Sequence, residues 1–388
     1  MIDLSYWEAC YLENPLDVAI VGAGIVGLNA ALKIKELDPD IRMAIFERHP
    51  IPRGASIRNA GFACLGSLTE LIENVDTHGW EVVSELLSKR WEGLQELRGL
   101  LTDEALEYTA NPGYEIFLSG EEEIYQRCLS ALPTFNQVFS EVTGVGQAFQ
   151  VADEEIATLG LVGVKHLIRQ NVEGQLHADK MMKALVEKVQ AAGIPIYFGW
   201  DIQGWSQQGQ EELRLTSTTG LDRNTRKLLL ATNGYTKRLG PSLPLQPVRN
   251  QVVLTEPISD LALKGSFHYH KGYVYFRNLG NRILLGGARH LDLEASQTDQ
   301  HGQNQHINSY LKDFLIRHLT QGKEVKITHQ WSGILGVGEA LRPIMKWIAP
   351  NVLTAVRLGG MGVAIGTLVG QEAGEKILRK TLLTLPNQ

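Results

Sequence analysis

Apolar residues fall into two textures along the chain. Short unbroken runs, Asp17-Val-Ala-Ile-Val21, Met43-Ala-Ile-Phe46, Lys227-Leu-Leu-Leu-Ala231 and Leu353 to Val356, read as strands buried on both faces, the signature of a parallel sheet. Helical stripes lie between them. Leu28 to Leu37 follows the first run; Trp80, Val83, Leu87, Trp91, Leu94 and Leu101 mark one side of a structural helix; and Met182, Leu185, Val189 and Ala192 mark another, ended by Gly193 before a strand at Ile194 to Phe198. From Pro247 the texture changes to longer alternating strands, Gln251 to Thr255, Tyr273 to Arg277 and Arg282 to Gly287, with a turn at Asn278 to Asn281. That half reads as antiparallel sheet, covered on one face by an amphipathic helix carrying Ile307, Tyr310, Leu311, Phe314, Leu315 and Leu319.

Composition narrows the class without choosing a function. A chain of 388 residues favours two domains, and 44 % hydrophobic with 21 % charged residues is ordinary for a globular protein. The formal charge of −6, from 37 basic and 43 acidic residues, argues against a nucleic-acid partner held by phosphate neutralisation. The three cysteines, Cys10, Cys64 and Cys128, lack a paired spacing, so neither a disulfide framework nor a cysteine zinc site is expected, and a reducing compartment fits. The first fifteen residues lack the form of a signal peptide, and no run approaches about eighteen apolar residues, so a cytoplasmic protein without an integral membrane segment is expected. Tyr6, Trp7 and Tyr11 then read as an N-terminal segment lying on the domain surface.

Chemistry enters with Gly22-Ala-Gly24-Ile25-Val26-Gly27, which follows the first strand, and with Glu47, twenty residues beyond Gly27. Gly22 permits a tight turn, Gly24 lets the main chain approach a pyrophosphate, and Gly27 lets the helix pack closely on the sheet. The helix N-terminus suits the phosphates, and a carboxylate at the end of the second strand suits the hydroxyls of an adenosine ribose. NAD and FAD share that ADP half, so this motif leaves both open. Two later glycine turns, Ala231-Thr232-Asn233-Gly234 and Gly359-Gly360-Met361-Gly362, also follow apolar strands and are expected at the same sheet edge. Extended FAD uses more of the chain than NAD does: it calls on the loop around Arg58 to Gly61, within the Pro50 to Phe62 segment, and on a late helix N-terminus facing the flavin ring.

With these landmarks, and with Gly54-Ala-Ser56-Ile-Arg58-Asn59-Ala60-Gly61, Tyr273, Gly286-Gly287 and Trp331-Ser-Gly333, nearly the whole chain resembles the D-amino-acid oxidase superfamily of FAD-dependent oxidoreductases. The resemblance implies an α/β fold: a Rossmann-like FAD-binding domain of the glutathione-reductase type, with an inserted antiparallel-sheet substrate domain of α+β character. The segments expected are 1–90, 166–245 and 343–388 for FAD and 91–165 and 246–342 for substrate. The cofactor contacts implied are Gly22, Gly24, Ile25, Val26, Gly27, Glu47, Arg48, Ser56, Arg58, Asn59, Ala60, Gly61, Ile202, Ala231, Thr232, Asn233, Gly234, Gly359, Gly360, Met361 and Gly362. Such enzymes take hydride from the carbon beside an amine nitrogen onto flavin N5, and water then hydrolyses the imine, so no protein base is required. The resemblance places Tyr273, Tyr275, Arg289 and Arg342 around a small amine or amino-acid substrate, with oxygen or another acceptor taking the electrons.

The chain departs from relatives in three places. Between Trp331 and Pro343 it is longer and lacks their Asp-x-x-Pro pattern, which leaves the register of Arg342 open; Met361 stands where amino-acid oxidases often carry a polar residue nearby; and no cysteine follows Cys128, so the FAD is expected to be non-covalent. Cys64 reads as a buried small residue. His268 and His270 are read as sharing a strand face away from any carboxylate or cysteine, so no metal site is assigned. An NAD-linked dehydrogenase and a flavin-binding module without turnover are the competing classes.

Overall fold

The computed structural model describes residues 4–209, 211–240 and 242–379. Its contacts divide into two compact units, Met1–Ile57 with Asp179–Pro247 and Leu335–Gln388, and Arg58–Ala178 with Val248–Ile334. The first changeover falls at Ile57 rather than after residue 90. Strand Phe62–Ala63 pairs with Gly174–Gln175, and helices Leu68–His78 and Trp80–Leu101 pack with Glu122–Thr143, so the chain after Ile57 belongs with the second unit.

The first unit is built on a parallel sheet. Its strands run in the order Val352–Val356, Arg223–Leu230, Leu16–Val21, Met43–Glu47 and Ile196–Phe198, with Ile344–Ala349 antiparallel on one edge. A hairpin, Ile202–Gln208 and Glu212–Ser217, extends Arg223–Leu230. Val352–Val356 is buried throughout and Leu16–Val21 at all but Asp17, which explains their unbroken apolar composition.

Helices Ile25–Leu37 and Gly362–Arg379 pack main chain to main chain. A Cβ at Gly366 would stand 2.6 Å from the Ile25 side chain, one at Gly370 2.6 Å from the Val26 carbonyl oxygen, and one at Gly374 2.8 Å from that of Ala30. Three glycines in a helix each cost about 0.5–1 kcal/mol of propensity, offset here by close packing that larger residues would prevent. The small-residue character of this last helix is a seam.

The second unit carries an eight-stranded sheet in the order Ile327–Val337, Gln246–Thr255, Arg282–Gly287, Val274–Leu279, Ser266–Tyr269, Gly113–Leu118, Val164–Gln170 and Phe149–Val151. Ser266–Tyr269 meets Gly113–Leu118 in parallel. Its core is centred on the rings of Tyr114, Phe267 and Phe276, with centroids 4.9 and 4.7 Å apart, and helix Gln305–Phe314 covers it through Ile307, Leu311 and Phe314. The expected helix through Leu319 changes after Phe314 to a π-turn, Leu315–Leu319, which keeps Leu315 and Leu319 buried.

Trp80–Leu101 is helical as expected, but Leu86, Arg90 and Leu97 join the buried stripe while Trp80 is 38 % exposed. At the N-terminus, helix Tyr6–Glu13 begins with a capping box between Ser5 and Glu8. Tyr6 and Trp7 are 71 % and 78 % exposed and contact each other edge-on; the Tyr11 side chain lies outside the described residues.

The tightest point of the first unit is Gly27, where a Cβ would lie 2.0 Å from the Gly22 carbonyl oxygen. Gly27→Ala is therefore expected to lower the unfolding free energy by at least about 2 kcal/mol in urea titrations. Gly99→Ala, at an exposed helical position with no atom within 4 Å of the new Cβ, is expected to raise it by about 0.5–1 kcal/mol.

Candidate functional site

Parallel register brings the three glycine turns to one edge. Val21 stands opposite Phe46 and Leu230, and Leu230 opposite Thr354, so the chain leaves all these strands at their carboxyl ends side by side. The turns are bonded to the strands and to one another. Gly22 N–H donates to the Phe46 carbonyl and Ala231 N–H to that of Val21, both at 2.9 Å, and a Cβ on Gly22 would stand 2.7 Å from the Ala231 oxygen. The Asn233 side-chain oxygen accepts the Arg357 N–H at 3.1 Å, which joins the second turn to the third. Asn233 and Arg357 both hold left-handed backbone, φ 44° and 66°, a local strain that the surrounding bonds maintain.

Arg357, just after the strand expected at Leu353 to Val356, was not named among the candidate site residues. Its guanidinium donates to the carbonyl oxygens of Pro244 at 2.8 Å and Arg342 at 2.7 Å, anchoring the approach to Gly359–Gly362. Gly359 and Gly360 also have positive φ.

Helix Ile25–Leu37 starts at Gly24, whose lack of a side chain leaves the first turn uncapped from within, and no acidic residue occupies that turn. Ile25 N–H donates to Ser56 Oγ at 3.0 Å, and a Cβ on Gly24 would come within 3.1 Å of that oxygen. An electropositive helix end against a main-chain surface free of side chains fits a pyrophosphate.

Glu47 lies at the end of the second strand. Its carboxylate accepts N–H groups from Ala23 at 3.2 Å and His49 at 3.1 Å, which orient it beside the first turn. Burial raises its pKa; the two N–H bonds and Arg48 oppose that rise, and Asp201 adds to it. Arg48 lies 3.9 Å over the Tyr235 ring, just beyond Gly234. Ile202 is buried in the core with Phe46, Leu213 and Leu228, so its side chain serves packing.

Arg58 to Gly61 lies in the second unit. Arg58 donates to the Ser332 carbonyl at 2.6 Å, the Trp331 indole donates to the Arg58 carbonyl at 3.0 Å, and a Cβ on Gly333 would meet Arg58 Cβ at 3.4 Å. The Trp331-Ser-Gly333 landmark thus packs on the arginine of the earlier loop. Asn59 turns back to accept the Gly61 N–H at 2.8 Å, and Gly61, at φ 73°, passes its carbonyl to Arg277 at 2.7 Å. Burial lowers the Arg277 pKa to about 10, so the guanidinium is still charged at neutral pH. Ala60 lies between the two turn residues.

Tyr273, Tyr275 and Arg289 come together, also in the second unit. Arg289 lies 4.8 Å over the Tyr273 ring, and Tyr275 fills the space that Cβ atoms on Gly286 or Gly287 would need. Burial holds the Tyr275 phenol well above its ordinary pKa, with Arg289 and Asn250 partly opposing it, so the hydroxyl stays protonated. His290 was missed by sequence reasoning. Its ring lies 5.1 Å from Tyr273 and 4.6 Å from His270, and its Nδ1 is buried without a partner. Arg342 belongs to the first unit, exposed before strand Ile344–Ala349.

The histidine reading needs correction. Strand Ser266–Tyr269 ends before His270, which turns into left-handed backbone at φ 52°, so His268 and His270 share no strand face. His268 does have acidic and thiol neighbours. Its Nε2 lies 3.0 and 3.1 Å from the two oxygens of Glu173, with Cys64 close by. Burial opposes its charge, but Glu173, Glu115 and Glu70 outweigh that and raise the pKa. Sequence spacing hid this group because Glu173 lies 95 residues away.

The chain matches the family model described as FAD dependent oxidoreductase, DAO, over residues 17–376. It belongs to the DAO family of FAD-dependent oxidoreductases. The NAD-linked reading is thereby set aside. Among curated relatives, the family resemblance extends to "Probable oxidoreductase OrdL" of Rhizobium meliloti (strain 1021), 23 % identical over 397 residues and covering 97 % of this chain and 89 % of that protein. Among solved structures of the DAO fold, L-proline dehydrogenase from P. horikoshii aligns with TM-score 0.74 at 16 % identity, covering 96 % of each chain. Glycine oxidase from Geobacillus kaustophilus aligns with TM-score 0.73 at 20 % identity, covering 95 % of this chain and 96 % of that one. Among the described residues, no helix is long and apolar enough to cross a membrane.

The surroundings of His290 lead to a pH prediction. Burial, followed by the charges of His270 and Arg289, lowers its pKa from 6.5 to about 4. Between those values the unfolded chain binds a proton that the folded chain does not, so this group's contribution to stability falls as pH falls from about 6.5 toward about 4. In denaturant titrations across that range, His290→Gln is expected to show a shallower acid-side loss than the parent; equal slopes would remove His290 as its source.

Proposed function

We propose that this enzyme oxidises the C–N bond of a small amine or amino acid, with non-covalently bound FAD as hydride acceptor and oxygen or another acceptor completing the cycle. The observation that carries the reading is the Tyr273–Arg289 pair, a guanidinium laid over a phenol ring beside Tyr275. A guanidinium fork suits a substrate carboxylate. The two similar structures named above support the substrate class, since one is a glycine oxidase and the other an L-proline dehydrogenase.

In this reading the first unit is the cofactor domain. Gly22 to Gly27 and Ser56 receive the pyrophosphate, Glu47 and Arg48 the adenosine end, and Ala231 to Gly234 with Gly359 to Gly362 the remainder. Arg58 to Gly61, a further candidate cofactor loop, belongs to the second unit. FAD, when bound, supplies the two-electron acceptor. The protein's part is to orient the amine and to pair the substrate's carboxylate with Arg289; Arg342 remains a candidate from the first unit. Tyr273 and Tyr275 contribute neutral hydroxyls and ring faces. A reducing cytoplasmic setting accords with the free thiols of Cys64 and Cys128.

The test is anaerobic reduction of purified protein by a panel of D- and L-amino acids, N-methyl amino acids and polyamines. Bleaching of the flavin bands by an amino acid is the expected outcome; a yellow protein that no amine bleaches would overturn the reading. Arg289→Met is expected to lower kcat/KM for a carboxylate-bearing substrate by roughly 10- to 150-fold, about 1.5–3 kcal/mol, with little change for a polyamine. Glu47→Ala is expected to weaken FAD retention by roughly tenfold or more in dialysis against cofactor-free buffer.

A further inference from the structure

The second unit contains a donor cluster with no part in the proposed oxidation. Cys64, Glu173 and His268 are all buried, and their ligating atoms lie within 4.8 Å of one another. The carboxylate is entirely enclosed, and the imidazole side chain is 9 % exposed. Gly113 makes room for it: a Cβ there would stand 2.2 Å from a Glu173 oxygen.

Three features point to a cation. The separations of 3.0 and 3.1 Å between His268 Nε2 and the Glu173 oxygens are close to the roughly 3.3 Å between neighbouring ligands of one tetrahedral zinc. Glu70 and Glu115 add acidic charge around the cluster, partly opposed by the Arg90 guanidinium. A cavity beside His268 and Glu173 is also lined by Ser67, Glu115 and Gln170. The Gln170 Oε1 is buried there without a partner, while its Nε2 donates to the Gly66 carbonyl at 3.1 Å. That oxygen, directly or through one water, supplies a fourth position.

We propose that Cys64, Glu173 and His268 form a buried site for a divalent transition metal of the zinc class, with Gln170 completing the shell. Mixed thiolate, imidazole and carboxylate donors favour zinc or cobalt over magnesium or calcium. On binding, Cys64 gives up its thiol proton to solvent and its sulfur moves in by about 1 Å to reach the metal. The ion would tie the segment following strand Phe62–Ala63 to strand Ser266–Tyr269, and so secure the loop that carries Arg58 to Gly61. This role is structural and independent of the substrate assigned above.

The experiment uses the FAD-loaded protein in a Cys10→Ala, Cys128→Ala background, where Cys64 is the one remaining thiol. After incubation with Zn²⁺ or Co²⁺ and dialysis, elemental analysis is expected to give about one metal per chain. The Co²⁺ form should show intense ligand-field bands in the red, beyond flavin absorption, and the metal should raise the melting temperature. Further replacement by Cys64→Ala or Glu173→Gln should weaken retention by at least tenfold and abolish the metal-dependent rise in melting temperature, with the flavin spectrum unchanged. Absence of retained metal, retention equal in the Cys64→Ala protein, or a Co²⁺ spectrum without the tetrahedral bands would overturn the proposal. Should the added replacements prevent folding, the Co²⁺ spectrum of the background protein decides alone.

Discussion

Everything at the sheet edge depends on main chain touching main chain where no Cβ intervenes. Gly27 rests on the Gly22 carbonyl, Gly22 on the Ala231 carbonyl, and Gly370 and Gly374 on the carbonyls of Val26 and Ala30. These contacts bring the ends of three strands and the starts of two helices close together. The positive ends of the helix dipoles then lie at one edge, where an anionic cofactor can meet them. The apolar strands supply the stability, and the glycines convert it into position.

Irregular segments raise a second problem, since their carbonyls have no ladder partner and yet several are buried. Arginines meet that need repeatedly. Arg277 binds the carbonyls of Gly61 and Leu176, Arg357 those of Pro244 and Arg342, and Arg90 that of Leu65. A guanidinium can serve two carbonyls from one planar group and keeps its charge under burial, as Arg277 does with its pKa near 10. Charge burial is costly, and main-chain dipoles in number are what offset it. Loops carrying cofactor chemistry can therefore be buried and still be well defined.

What the sequence makes legible follows from the range of each interaction. Unbroken apolar runs locate the parallel strands, and the bounds of Trp80–Leu101 are visible because helical spacing is local. The common edge of the glycine turns also follows, because parallel strands leave in the same direction. The Asn233–Arg357 bond spans 124 residues, and nothing in periodicity reports it. The changeover at Ile57 is hidden for the same reason, since it depends on Phe62–Ala63 finding Gly174–Gln175. The π-turn at Leu315–Leu319 escapes notice because its apolar spacing still satisfies a helical reading.

Histidines show the same limit chemically. His268 is read from sequence without a charged neighbour and His290 is not singled out at all, yet their surroundings push them in opposite directions. Around His268 stand Glu173, Glu115 and Glu70, so that point in the fold favours a positive charge, whether a proton or a metal ion provides it. Around His290, burial first and then the charges of His270 and Arg289 make that point reject a proton. The two potentials lie within one unit and are set by side chains from separate strands and loops. If the substrate carries a carboxylate and approaches Arg289 as proposed, it enters the field that disfavours protonated His290, and each anion drawn there would make a proton on His290 less costly. On that reading, substrate binding and imidazole protonation would be thermodynamically linked through charge alone, without any change of fold.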